Sequence, residues 1–143
     1  FFLLAAGKLP LNKQSIDVVK VLRSSLSAWY PVFEQDHFAV EIELEHSIIW
    51  EVDDLWLRRI LDNIFQNVRR HAAEGQYVYV GTVMTSSGAA IQIRDQGPGI
   101  HSQSTRKGAG IGMSIIDMMC AQMDLSCTID SNDEGTTVCI HRK

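Results

Sequence analysis

The chain has little of what marks several common protein classes. Its three cysteines, Cys120, Cys127 and Cys139, are an odd number without metal-type spacing, which argues against a disulfide framework or a zinc site. Cys127 and Cys139 fall in alternating strand patterns and Cys120 on an apolar helix face, so all three read as reduced, small, buried side chains. The five histidines form no ligand cluster, and only His71 stands near other candidate site residues. Basic charge is not in excess: the formal net charge is −4, which offers nothing to a nucleic-acid backbone. No apolar run is long enough to span a membrane, so a cytoplasmic domain without direct membrane contact is expected. Phe1-Phe-Leu-Leu-Ala-Ala6 is short and lacks both a basic leader and a methionine, and reads as a cut end of a longer protein rather than a signal peptide. Internal repeats and low-complexity tracts are absent.

What is present suffices for one globular domain: 143 residues, 45% of them hydrophobic, can bury a real core. Residues 1–14, with Gly7, Pro10 and Asn12 after an apolar run, read as a helix end and connector; residues 15–143 read as the domain itself. Ser15 is expected to cap a helix whose apolar positions Ile16, Val19, Leu22, Leu26 and Tyr30 have helical spacing, with Pro31 bending or interrupting it. Phe38–Glu45 alternates as a half-buried strand should, and Ile48–Val52 is expected to pair with it as a hairpin. Asp53 or Asp54 then caps a long helix with a buried stripe of Leu57, Ile60, Leu61, Ile64, Phe65 and Val68. Tyr77–Met84 and Ala89–Arg94 flank a turn signal, a helix is expected from about Ile111 to Met123, and strands Leu125–Asp130 and Thr136–His141 close the chain. The order predicts an α+β fold, a two-layer sandwich of a mixed sheet with helices on one face.

Three clusters carry polar chemistry. Asn63, Asn67, Arg70 and His71 lie three or four residues apart on one helix and share a face. An amide cannot act as a general base, but its Oδ1 can hold Mg²⁺, which also takes phosphate oxygens. Asp95 ends a strand and precedes Gly97-Pro98-Gly99-Ile100; a carboxylate there can accept from the amine of a base, and glycines admit a flat ring close to the backbone. Gly108, Gly110 and Gly112, with Ile111 among them, run into a helix, where bare N–H groups favour phosphate, and Arg106 and Lys107 add cations. Met113 stands where a dinucleotide fingerprint needs glycine, and no Gly-Lys-Ser/Thr follows, so neither that motif nor a P-loop is present.

In this order the clusters resemble the Bergerat ATP-binding domain of sensor histidine kinases, in the superfamily that also holds gyrase, MutL and heat-shock chaperone ATPases. Ile60–His71 is similar to the family's N box, Asp95-x-Gly-x-Gly99 to its first glycine box, Gly108-x-Gly-Ile-Gly112 to the second, and Gly135-Thr-Thr137 to the closing Gly-Thr element. Leu4–Leu11 resembles the end of the helical hairpin that precedes such domains. The resemblance implies ATP and Mg²⁺ as ligands, with Asn67 on the metal, Asn63 supporting metal or phosphates, and Arg70 contacting phosphate. It also implies His71 near the nucleotide, Asp95 on adenine N6, Gly97, Gly99 and Ile100 along the base, the second glycine box at the phosphates, and Thr136 in the adenine–Asp95 water network.

The γ-phosphate would then pass to a histidine on a separate dimerisation and phosphoacceptor domain upstream in the same protein, and a response regulator would follow. No histidine here has the setting of that acceptor, so these residues position the nucleotide and none is the nucleophile. The segment Ile100–Lys107, in the place of the lid, is short and has no phenylalanine box, and Met123-Asp-Leu125 replaces the usual His-Gly-Gly. The short lid is similar to that of anti-sigma-factor serine kinases, the first alternative, although an amide at Asn63 argues against them. A non-catalytic nucleotide sensor is the second.

Overall fold

The computed structural model describes residues 11–44, 47–71, 75–86, 88–96, 115–132 and 135–143. Strand β1 (Gln14–Asp17) leads directly into helix α1 (Val18–Gln35), and β2 (Ala39–Glu43) and β3 (Ile49–Val52) follow. Helix α2 (Asp54–His71), β4 (Tyr77–Thr85), β5 (Gly88–Asp95), helix α3 (residues 115–122), β6 (Leu125–Asn132) and β7 (Gly135–Arg142) complete the described order. The expected helix end over Leu4–Pro10 and the start of the last helix at Ile111–Ser114 lie outside the described residues.

The helix cap is not Ser15. Residues 14–17 pair as a strand with β3, the Ser15 hydroxyl donates to Glu51 Oε1 at 2.6 Å, and Asp17 caps α1 by accepting from Val19 N–H at 3.1 Å. A carboxylate suits that place better than a hydroxyl, because it also meets the positive end of the helix dipole. Nor does Pro31 interrupt α1, which runs unbroken to Gln35. Pro31 is on the exposed side, so water can take the carbonyl that its missing N–H leaves free. The helix closes at His37, in the left-handed region with φ 63°, where Phe38 N–H reaches Phe33 O at 2.8 Å.

The expected hairpin between the second and third strands does not form. β3 pairs antiparallel with β1 in a small sheet, and β2 pairs parallel with β4 in a five-stranded sheet of order β2-β4-β5-β7-β6. Parallel neighbours need a crossover, and α2 between β2 and β4 supplies it. β3 is held by β1 instead, through their register, the Ser15–Glu51 bond and Val18 N–H donating to Ile48 O at 2.8 Å, and its Trp50 and Val52 side chains enter the core from there. The β4–β5 and β6–β7 hairpins form as expected, in registers Val78↔Asp95 and Ser131↔Thr136.

Alternation along the paired strands sorts the sheet into two faces. Val78, Val80, Ile91, Ile93, Val138 and Ile140 share one core cluster with α1, α2 and α3, which lie together on that face. Trp29, Phe33, Phe38 and Phe65 stack between the first two helices, with centroids 5.1–6.4 Å apart. The result is the expected two-layer α+β sandwich with a mixed sheet. Its other face carries Tyr79, which lies over the bare backbone of Gly81 and under the Arg94 guanidinium, 4.1 Å from the ring centroid. All three cysteines are free thiols; Cys120 is buried, and its thiol together with burial pushes that of Cys127 up, as suits inert apolar filling.

Candidate functional site

Helix α2 is held by the stripe read from its sequence: Leu57, Ile60, Leu61, Ile64, Phe65 and Val68 are all buried, with Trp56 added. Asp53 starts the helix, accepting from Leu55 N–H at 2.9 Å and Trp56 N–H at 3.2 Å. On the opposite flank, Ser25 Oγ and Trp29 Nε1 both donate to Asp62, at 3.2 and 3.0 Å, tying α2 to α1. The helix has little freedom to turn.

At the border of that stripe stand Asn63 and Asn67, one turn apart and both half-buried. The Asn63 amide donates to the Arg59 carbonyl at 3.0 Å, which fixes its rotation. The Asn67 amide nitrogen is buried and has no hydrogen-bond partner among the described residues. An orphan of this kind costs about 1–3 kcal/mol, and folds keep such a group mainly where it serves a function. An unpaired N–H suits an acceptor such as a phosphate oxygen, and Oδ1 of the same amide is the atom that can hold Mg²⁺ shared with that phosphate. No group of three or more His, Cys, Asp or Glu able to hold a metal occurs among the described residues.

The two arginines that end α2 are used differently. Arg69 is spent on Asp36, with Nε 2.7 Å from Oδ2. Arg70 is exposed and makes no ion pair among the described residues, which leaves its cation for an incoming anion. His71 is the last residue of α2, and its side chain lies outside the described residues.

Asp95 closes β5. Its register partner Val78 belongs to the core, so alternation puts the carboxylate on the helix-covered face. Burial pushes this carboxyl up to about 6, and Thr136 N–H, donating to Oδ1 at 3.0 Å, partly offsets the rise. Thr136 is itself buried, and its hydroxyl lies 2.9 Å from that of Ser131. Two glycines press on the same strand end. A Cβ on Gly135 would collide with the Asp95 carbonyl, and one on Gly75 with the Gln96 carbonyl. The second contact matters most: it brings the turn after α2 against the strand end that carries Asp95. The amide helix and the carboxylate therefore converge on one end of the sandwich.

Gly97, Gly99, Ile100, Arg106, Lys107, Gly108, Gly110, Ile111 and Gly112 lie outside the described residues. A cleft of about 600 Å³ opens at the same strand ends, and Asp95, Gln96 and Gly135 line it together with Tyr77, Arg94, Asp130 and Thr137. Alternation places the side chains of those last four on the face opposite the Asp95 carboxylate, so the cleft reaches the strand end that carries Asp95 from the far side of the sheet. Sequence reasoning missed Ser131 and Gly75. The signal for Ser131 was the β6–β7 hairpin register, which sets it opposite Thr136.

With this geometry in view, the similarities to known proteins fall into place. The family model described as histidine kinase-, DNA gyrase B-, and HSP90-like ATPase matches residues 52–143, more than half of the chain. The sensor histidine kinase YbdK of Bacillus subtilis (strain 168) is 24% identical over 124 residues, covering 86% of this chain but only 37% of that protein. The cytoplasmic segment of histidine kinase QseC superposes with a TM-score of 0.78 at 20% identity, over 99% of this chain and 88% of that one. Full-length ShkA in complex with AMPPNP superposes with a TM-score of 0.72 at 18% identity, over 92% of this chain and 31% of that one. The chain thus spans little more than a third of the curated relative it matches.

Proposed function

The chain belongs to the family of histidine kinase-, DNA gyrase B- and HSP90-like ATPases, and from that premise we propose that it is the ATP-binding catalytic domain of a two-component sensor histidine kinase. The observation that carries this reading is the half-buried Asp95 carboxylate at a strand end, held by Thr136 N–H beside the end of the amide-bearing helix. An acceptor of this kind suits the N6 amine of adenine and repels the O6 of guanine. The AMPPNP of the similar ShkA structure is an adenine nucleotide, which supports the choice.

Phosphoryl transfer asks a protein mainly for positioning and charge neutralisation. Asp95 and Thr136 would hold the base. Asn67 Oδ1 would hold Mg²⁺, with Asn63 beside it; the ion supplies neutralisation of the phosphate oxygens. Arg70 would neutralise the transferring group, helped by Arg106, Lys107 and the backbone of the second glycine box. The γ-phosphate would go to a histidine on the dimerisation and phosphoacceptor domain of the same protein, and from there to a response regulator.

Calorimetry with ATP and GTP in the presence of Mg²⁺ tests the nucleotide site. ATP should bind about five- to 150-fold tighter, since an unpaired acceptor costs about 1–3 kcal/mol; equal affinities would remove Asp95 from the site. Labelled ATP tests the reaction. Mixed with the phosphoacceptor domain of its own protein, the chain should produce acid-labile phosphohistidine. Acid-stable phosphate on a serine of a partner protein would favour the anti-sigma kinase reading instead.

A further inference from the structure

Among the described residues, the backbone donor to Asp95 is Thr136 N–H, whose placement depends on the end of a hairpin. Thr136 follows Gly135 at the start of β7, and the last register pairs of the hairpin are Ser131↔Thr136 and Asn132↔Gly135. Strand ends fray unless something besides the backbone ladder holds them. Here the Ser131 and Thr136 hydroxyls lie 2.9 Å apart, a side-chain link across the hairpin at the residue whose N–H donates to Asp95. Thr136 is 7% exposed, so bulk water is a poor substitute for that link.

We infer that Ser131 is a positioning residue for adenine recognition: through Thr136 it holds the N–H that orients the Asp95 carboxylate. The inference rests on reading Asp95 as the adenine acceptor. The chain of contacts is short and directional. Ser131 Oγ fixes the Thr136 side chain, the Thr136 N–H fixes rotation about the Asp95 Cβ–Cγ bond, and that rotation sets where the second carboxylate oxygen points. A hydroxyl hydrogen turns to suit its partners, so a standing partner also selects one direction for the Thr136 hydroxyl. Without Ser131, the Thr136 side chain loses its cross-strand anchor, and the N–H bond to Asp95 spends less time formed. The cost should appear only with ligands that use the carboxylate.

The test compares ATP with purine riboside triphosphate, which lacks the 6-amino group, by calorimetry on Ser131→Ala, Ser131→Thr and the unsubstituted chain. Ser131→Ala should weaken ATP binding roughly three- to tenfold, the span of one neutral hydrogen bond, and leave the analogue unchanged. Ser131→Thr, which keeps the hydroxyl, should restore the preference for ATP. Should the alanine variant not fold, Ser131→Cys keeps a polarisable group at the position, weakens the hydrogen bond, and reads the same loss. An unchanged ATP preference in Ser131→Ala, or a parallel fall for both ligands, would overturn the inference and mark Ser131 as structural only. No ATP preference in the unsubstituted chain would instead overturn the assignment of Asp95, a distinguishable failure.

Discussion

A carboxylate that binds a base has to be buried, and burial works against its own charge. In Asp95 the conflict is visible as a carboxyl pushed from 3.8 up to about 6. The sign of its effect on stability follows by linkage. Below its unfolded value the group is protonated in both states and its contribution is fully present; as pH rises through about 6 the folded protein must ionise it in place, and that contribution is lost. Asp95→Asn should therefore raise the melting temperature of the nucleotide-free domain by roughly a few degrees at pH 7 and by progressively less as pH falls towards and below 3.8, while abolishing the preference for ATP. Nucleotide affinity of the unsubstituted chain should fall as pH is lowered through about 6, because a protonated carboxyl is a poor acceptor. Melting curves and calorimetry across that range check both. Asn67 presents the same bargain without a charge. Its amide nitrogen has no partner among the described residues, so Asn67→Ala should leave the melting temperature unchanged or slightly raised and remove most Mg·ATP binding. Unfolding of that variant would make the residue structural. Arg70→Ala should act later in the cycle, slowing transfer about 10²-fold with little change in nucleotide affinity, as single-turnover phosphorylation would show.

Among the elements, the strand end of β5 is the most tightly constrained. Gly135→Ala would drive a Cβ into the Asp95 carbonyl, and relief of that overlap must move either β7 or the carboxylate. The domain should lose about 1–3 kcal/mol in urea melts and, in the same variant, most of its ATP affinity. Such an approach of one backbone to another is hard to read from sequence. The stripe of α2 was legible because six apolar residues at helical spacing admit one face only. The β4–β5 and β6–β7 hairpins were legible because Ser86-Ser-Gly88 and Asn132-Asp-Glu-Gly135 are turn signals between alternating runs. The partner of β3 was not, since alternation states that a strand is half-buried and never beside which neighbour. Trp50 and Val52 would have filled a core position in either arrangement. At the site, Asn67, Asp95 and Thr136 were accessible through their motifs. Ser131 and Gly75 act through a cross-strand register and a backbone contact, and neither leaves a pattern in one dimension.

In the whole molecule, every described helix lies on one face of the sheet, and the polar chemistry gathers where α2 and β5 end. The other face is finished with its own side chains: Tyr79 over Gly81, Arg94 over Tyr79, and Tyr77 donating to Glu41 at 2.6 Å. The departure of β3 from the main sheet has a colloidal consequence. It leaves β2 at the end of the strand order, with nothing paired beyond it among the described residues. A lone edge is a template for a second molecule. β2 is short, and it carries Glu41 and Glu43 on one side, while Arg23 already donates to the carbonyl of Leu44 just past its end. Two copies meeting edge to edge would bring their like charges together, at separations where physiological salt screens only part of the repulsion. Neutralising the pair as Glu41→Gln with Glu43→Gln should leave the fold and nucleotide binding intact and make the domain self-associate at high concentration, visible as a rising scattering mass. If the neutralised chain stays monomeric, the edge is guarded by its shortness rather than by its charge.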